Sequence, residues 1–198
     1  MNVLTVDNTK AWLERFADKI ETNKAYLSEL DSVIGDGDHG NNMARGVKAM
    51  KEKLSEEDYA QPEEVLKDAS MALLSKIGGA SGPLYGSALL AMSKQAGQDS
   101  ADLHAIIKAG LEGITKRGKA EVGEKTMVDV WSPVVEHLAE GTVTIEDVQD
   151  SVEATKELKA SKGRASYLGE RSLGELDPGA VSSGFLFEAM IEGEIIDE

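Results

Sequence analysis

Apolar residues recur every three or four positions along most of this sequence, and no stretch alternates convincingly as a strand would. That spacing puts one dry stripe on a helix, and it confines the chain to helix-on-helix packing. Trp12, Phe16 and Ile20 begin the first stripe, and Leu27 and Leu30 extend it; Asp7 or Thr9 is the expected cap. Met43, Val47, Met50 and Leu54 mark a second stripe. Leu66, Ala69, Leu73 and Ile77 mark a third, started at Pro62 and stopped at Gly78-Gly79. A fourth runs through Leu84, Ala88 and Met92 after Pro83, and a fifth through Leu103, Ile107, Leu111 and Ile114. Val128, Trp131, Val135 and Leu138 form a sixth. Ile145, Val148, Val152 and Leu158 form a seventh, and Val181, Phe185 and Ala189 an eighth. The connections are mostly short, so neighbouring helices are expected to run antiparallel. Aromatics supply only 5% of the residues, so the core must be aliphatic, with Ala and Met filling it. The fold class is all-α, and 198 residues are expected to make one domain, 1–198.

The formal net charge of −15 repels nucleic acid, and no basic run offsets it. The same field repels phosphates, which such a chain holds only through a local cation or clustered N–H donors. The charge fits either a non-sticky surface or a face that docks a basic partner. No cysteine is present, which excludes disulfides and thiolate metal sites and fits a reducing cytosol. Met1-Asn2-Val3-Leu4 lacks the basic start of an export signal, and no apolar run approaches membrane-spanning length. A cytoplasmic protein without membrane partners is the expectation.

Four segments between the stripes are rich in Gly and small polar residues: 31–42, 78–86, 118–127 and 161–179. Loops on a rigid scaffold are where binding chemistry concentrates, and the last is long enough to suggest a lid. Asp31, Asp36 and Asp38 fall within one of them, with Gly35, Gly37 and Gly40 interleaved. Three close carboxylates repel one another unless a cation or protons neutralise them, and hard oxygen ligands select Mg²⁺, Ca²⁺ or Mn²⁺. The plainer alternative is that these carboxylates only cap a helix starting near Asn41. A calcium EF-hand fails, because Asn41 stands where its Gly is needed and Val47 where its Glu is needed. His39, beside the cluster at a helix start, is a candidate phosphate contact.

Gly78 to Gly82 carries almost no side-chain bulk, so it is either a phosphate-binding turn or a plain helix connection. Gly118 to Thr126 resembles a P-loop superficially. Glu124 separates Gly123 from Lys125, however, and no strand precedes the segment. Phosphate binding must then take another route, which gives the aspartates more weight. Lys162, Arg164 and Arg171 place cations in an acidic chain; each is either a surface charge or a phosphate ligand.

GDGDHGNNM (35–43), GGASGPLYG (78–86), RGKAEVGEKTMVDVW (117–131) and KGRASYLGERSLGELDPGA (162–180), in this order, resemble the L subunits of dihydroxyacetone kinases over nearly the whole chain. The resemblance implies an up-and-down barrel of eight antiparallel helices with nucleotide in the loops at one end. It implies that Asp31, Asp36 and Asp38 hold two Mg²⁺ ions on the phosphates of ADP or ATP. His39, Asn41 and Asn42 match phosphate-side contacts, and Ala80 and Ser81 match contacts in the Gly-rich loop. Gly118 and Met127 match residues around the nucleoside. Arg164, Asp177, Pro178 and Gly179 match the lid. No covalent intermediate is expected on this chain. The resemblance further implies a separate K subunit that binds dihydroxyacetone. An M subunit, a phosphohistidine protein of the phosphotransferase system, would rephosphorylate the retained ADP. Two readings stay open beside this one: a kinase subunit with exchangeable ATP, and a non-catalytic nucleotide- or Mg²⁺-sensing module.

Overall fold

The computed structural model describes residues 3–98, 102–193 and 195–196. Met1 and Asn2, read above for an export signal, lie outside them, as does the C-terminal edge of the 1–198 span. Eight α-helices are described: α1 (Val6–Ile34), α2 (His39–Glu56), α3 (Pro62–Lys76), α4 (Ser81–Ala96), α5 (Leu103–Gly118), α6 (Val128–Glu140), α7 (Ile145–Ala154) and α8 (Pro178–Glu192). Short 3₁₀ segments cover Thr155–Glu157 and Arg164–Ser172, and no strand occurs among the described residues. The all-α expectation holds. No helix of the described residues is long and apolar enough to cross a membrane.

Several helix boundaries differ from the sequence reading, each for a local reason. Thr5, not Asp7 or Thr9, caps α1: its hydroxyl accepts from Asn8 N at 3.1 Å while Asn8 Oδ1 takes Thr5 N at 2.7 Å. Thr9 is buried one turn further in. Helix α1 continues through Asp31 to Ile34, and α2 starts at His39, so the expected 31–42 loop shrinks to 35–38. Helix α4 starts at Ser81 rather than after Pro83, because proline is compatible with a first helical turn. Helix α7 stops at Ala154, leaving Leu158 beyond it.

Each helix packs on its successor, and α1 packs on α8, which closes the ring. Lys24 and Ser28 lie against Gly40, whereas Asp18 pairs with Lys51, so α1 and α2 run in opposite directions. In the same way Ser70 Oγ reaches Gly86 O and Ser93 Oγ reaches Glu63 O, which orients α3 against α4. The stripes meet in one large core cluster running from Leu4 to Ile196. Trp12 Nε1 donates to Leu186 O at 2.8 Å, and Trp131 meets Phe187 edge-on at 4.8 Å between ring centres. Full burial of such side chains contributes roughly 1.5–3 kcal/mol each. That rigid base fixes the helix ends, where the pocket lies.

Candidate functional site

A cavity of about 750 Å³ opens at the end of the ring where α1, α3 and α5 finish and α2, α4, α6 and α8 begin. Helix starts carry unpaired N–H groups, so an uncapped start at this end offers an anion a local site, even though the helix finishes beside it carry the opposite dipole end.

Asp31 projects from the last turn of α1, and Asp36 and Asp38 follow on the short connection. One carboxylate oxygen from each lies within 4.8 Å of the others. Gly35 is required beside them, since a Cβ there would sit 2.0 Å from Asp31 Oδ1. Asp31 Oδ2 accepts from Asp38 N at 2.9 Å and His39 N at 3.0 Å, capping α2 from the neighbouring helix. The capping role weighed from sequence is therefore real for Asp31, and its start is His39 rather than Asn41. Burial pushes the Asp31 carboxyl up, against those two N–H donors, with Asp36 adding repulsion. Arg164 Nη2 sits 3.0 Å from Asp36 Oδ2. Desolvation pushes the Asp36 carboxyl up, but the hydrogen bond with Asp38, the Arg164 charge and the hydrogen bond with Asp31 together outweigh it and hold Asp36 below the usual carboxylate range. Three hard oxygen donors with no sulfur or imidazole among them fit Mg²⁺.

Beside the carboxylates, at the start of α2, His39 is buried and hydrogen-bonded at both ring nitrogens. Nδ1 meets Ser81 Oγ at 3.1 Å and Nε2 meets Ser182 Oγ at 3.0 Å. Burial depresses its pKa to about 4, so the ring is neutral at pH 7. Gly79, Ala80 and Ser81 line the cavity at the start of α4, which carries no side-chain cap. Its first N–H groups are therefore available to an anion.

Lys125 forms part of the floor. It is 1% exposed, has a left-handed backbone (φ 61), and donates to Thr155 O at 2.6 Å and to Glu175 O. Burial lowers its pKa, opposed by the nearby Asp177, Glu175 and Asp129. Asp177 caps α8 by accepting from Ala180 N at 2.8 Å. Burial pushes its carboxyl up to about 7, against that bond and the Lys125 charge. Asp129 takes Gly123 N at 2.6 Å and Thr126 N at 2.8 Å, shaping the turn that delivers Met127 to the cavity wall.

The cavity lining gathers every residue that the family resemblance matched to the nucleotide site except Asn41, which points outward from α2; of the loop cations it takes in Lys162 and Arg164 but not Arg171. Asn42 does, and the Arg45 guanidinium holds its amide oxygen. Sequence reasoning missed Lys125, which had drawn attention only as part of a failed P-loop. It also missed the hydroxyls behind His39, which nothing in a helical stripe distinguishes from packing residues.

The DAK2 domain matches residues 33–192. The chain belongs to the DAK2 domain family. It is 54% identical over 190 residues to the PTS-dependent dihydroxyacetone kinase ADP-binding subunit of Lactococcus lactis subsp. lactis, covering 96% of this chain and 98% of that one. It is likewise 54% identical to the ADP-binding subunit of PEP-dependent dihydroxyacetone kinase 1 of Listeria innocua, over 93% of this chain and 94% of that one. Among solved structures, the C. freundii dihydroxyacetone kinase in complex with AMP-PNP and Mg²⁺ superposes with a TM-score of 0.75 at 23% identity. That match covers 93% of this chain and 33% of the larger kinase, so this DAK2 chain has the fold of about a third of it.

Proposed function

We propose that residues 1–198 form the ADP-binding subunit of a dihydroxyacetone kinase, holding Mg²⁺-bound ADP or ATP in the cavity at the helix ends. The observation that carries this reading is the facing of three carboxylates and two helix starts across one cavity. Carboxylates alone would repel a nucleotide. Through a cation they attract one, while the N–H groups of α4, with Ser81 and His39, grip the far side of the phosphates. Asp31, Asp36 and Asp38 would hold two Mg²⁺ ions, which when bound neutralise charge on the phosphate oxygens. Asn42 and Ala80 complete the phosphate side, and Asn41 acts through the start of α2 rather than by touching ligand. Met127 and Gly118 flank the nucleoside. Arg164 closes over the phosphates, while Asp177, Pro178 and Gly179 position the start of α8 beneath them.

Phosphoryl transfer depends on positioning and charge neutralisation more than on covalent chemistry by the protein. No residue of this chain becomes phosphorylated, and the acceptor sugar sits on a separate K-type subunit. The relatives named as PTS-dependent and PEP-dependent support retention of ADP as a coenzyme, rephosphorylated by an M-type phosphohistidine protein in the cytoplasm. Their kinase names weigh against a purely sensory module.

Calorimetric titration of nucleotide-stripped protein with ADP, with and without Mg²⁺, tests the reading. Tight binding only with Mg²⁺ is expected, and Asp36→Asn should weaken it by about 100-fold or more, since even groups that only support metal ligands are worth about 10–100-fold. Helical content should survive, because Asp36 is exposed. Undiminished ADP affinity in this variant removes the metal bridge. Rapid ADP release with turnover on free ATP replaces the coenzyme reading with the exchangeable one.

A further inference from the structure

Ser81, His39, Ser182, Tyr85, Ser183 and Trp131 form an unbroken hydrogen-bonded file from the cavity wall into the core. Ser81 Oγ to His39 Nδ1 is 3.1 Å, and His39 Nε2 to Ser182 Oγ is 3.0 Å. Ser182 Oγ to Tyr85 OH is 2.7 Å, Tyr85 OH to Ser183 Oγ is 3.0 Å, and Ser183 Oγ to Trp131 Nε1 is 3.1 Å. The inner four residues come from α4, α6 and α8 and are buried. Nucleotide binding as described above makes no use of them. Polar groups cost stability when buried among aliphatic side chains unless every one is paired, so a file of this length in such a core calls for a purpose.

The donors can be followed outward. The Trp131 indole N–H only donates, so Ser183 Oγ accepts from it. The other partner of Ser183 is Tyr85, so its hydrogen goes to the phenol oxygen. Tyr85 then donates to Ser182. The Ser182 hydrogen has two acceptors in reach, His39 Nε2 at 3.0 Å and Gly179 O at 3.2 Å. Nε2 is the nearer of the two, and the Gly179 carbonyl already accepts within the first turn of α8, so the hydrogen is assigned to Nε2. Donation to Nε2 leaves the ring hydrogen on Nδ1. Ser81 Oγ then accepts from Nδ1, and its own hydrogen is released toward the cavity.

We propose that this file is a positioning relay: it fixes His39 as the Nδ1–H tautomer and thereby presents the Ser81 hydroxyl to the cavity as a donor. The opposite tautomer would consume the Ser81 hydrogen on the ring and show only lone pairs to the ligand. On the nucleotide reading, on which this role rests, the ligand there is a phosphate oxygen, which needs donors. Tyr85, Ser182 and Ser183 are thus positioning residues that act through His39.

The ring-nitrogen resonances of His39 in the nucleotide-free full chain, at neutral to mildly alkaline pH, test the tautomer directly. Comparison with His39→Gln separates them from those of His104 and His137. A protonated Nδ1 with an unprotonated Nε2 is expected, and the reverse pattern overturns the proposal. Tyr85→Phe, which removes the donor to Ser182 but keeps the ring, should let the two tautomers mix. It should also weaken Mg²⁺–ADP binding by about two- to tenfold, the scale of one ordinary hydrogen bond, because only part of the Ser81 donation is lost when the tautomers mix. An unchanged tautomer ratio together with unchanged affinity in Tyr85→Phe also overturns it. Failure of the wild-type chain to bind Mg²⁺–ADP would sink the nucleotide reading instead, and the ring-nitrogen spectrum would still decide the tautomer.

Discussion

On one side of the cavity His39, Ser81, Lys125 and Asp177 are held by helix ends and buried partners, while the 3₁₀ segment Arg164–Ser172, anchored by buried Ala165 and Ser172, leaves Arg164 and Tyr167 in solvent. Lys125 is 1% exposed, whereas the Arg164 side chain is 70% exposed and Tyr167 is 87% exposed. Gly163 and Gly169, both left-handed, bound and interrupt that segment, so its backbone turns where only glycine is comfortable. The fixed side offers donors whose geometry is set before a ligand arrives, which lowers the cost of binding. The exposed side offers one guanidinium on a short arm, suited to closing after arrival. The fixed side should therefore respond to mutation in stability, and the exposed side in ligand kinetics.

The largest expected effect lies at the floor. Lys125→Met leaves Thr155 O and Glu175 O without their donor and removes the countercharge of Asp177 and Asp129. Loss of one member from a buried charged cluster costs about 3 kcal/mol. Urea unfolding midpoints should show that loss with an unchanged denaturant slope. A loss below about 1 kcal/mol would mean that Lys125 does not hold this side together.

A second test uses pH. The His39 pKa falls from 6.5 to about 4 on folding, so between those values only the unfolded chain takes up the proton. Its contribution to stability is complete above 6.5 and drains away as pH falls toward 4. Asp177 does the opposite. Its pKa rises from 3.8 to about 7, so its contribution is complete below 3.8 and drains away as pH rises toward 7. Between pH 4 and 6.5 the two slopes oppose each other. Asp177→Asn should unmask the first, making the variant lose stability relative to wild type as pH falls. His39→Gln should unmask the second, with relative loss as pH rises. Each slope is bounded by about 1.4 kcal/mol per pH unit. Parallel pH curves for both variants and wild type would mean that these groups do not titrate abnormally.

The helices were legible because aliphatic periodicity is written directly in the chain. Their ends were less so, and glycine is the reason. Gly40, Gly82 and Gly86 made 31–42 and 78–86 look like loops, yet all three lie within helices, where a Cβ would strike Lys24 O, Ile77 O or Leu74. They are there for close helix approach rather than for turns. Only the family resemblance of its loop points to Ser81, whereas the aspartates could be named from sequence because their residue type and spacing suit a cation. Lys125 could not, because the same lysine in a Gly-rich stretch is usually solvated, and only the meeting of 125, 155 and 175 buries it. Asn41 and Asn42 show the same limit: adjacent residues on a helix face different ways, and only Asn42 reaches the cavity.

The smallest expected change in stability, and the sharpest contrast, belongs to Arg164→Ala. Its bond to Asp36 joins two accessible side chains, and such pairs contribute about 0–1 kcal/mol. The unfolding midpoint should therefore move by less than about 0.5 kcal/mol, well short of Lys125→Met. Its effects on ligands should diverge. The guanidinium occupies Asp36 and repels a cation beside it, so its removal should tighten Mg²⁺ binding in the absence of nucleotide by a few-fold. It also supplies a phosphate contact, so its removal should speed ADP release by about tenfold or more, the scale of one charged hydrogen bond. A competition titration for Mg²⁺ and stopped-flow displacement of ADP separate the two effects. If Mg²⁺ and ADP instead weaken together, Arg164 helps to build the carboxylate site and is as fixed as the floor. Opposite signs would place it on the arm that closes, since a residue that obstructs the empty site and retains the filled one must occupy two positions.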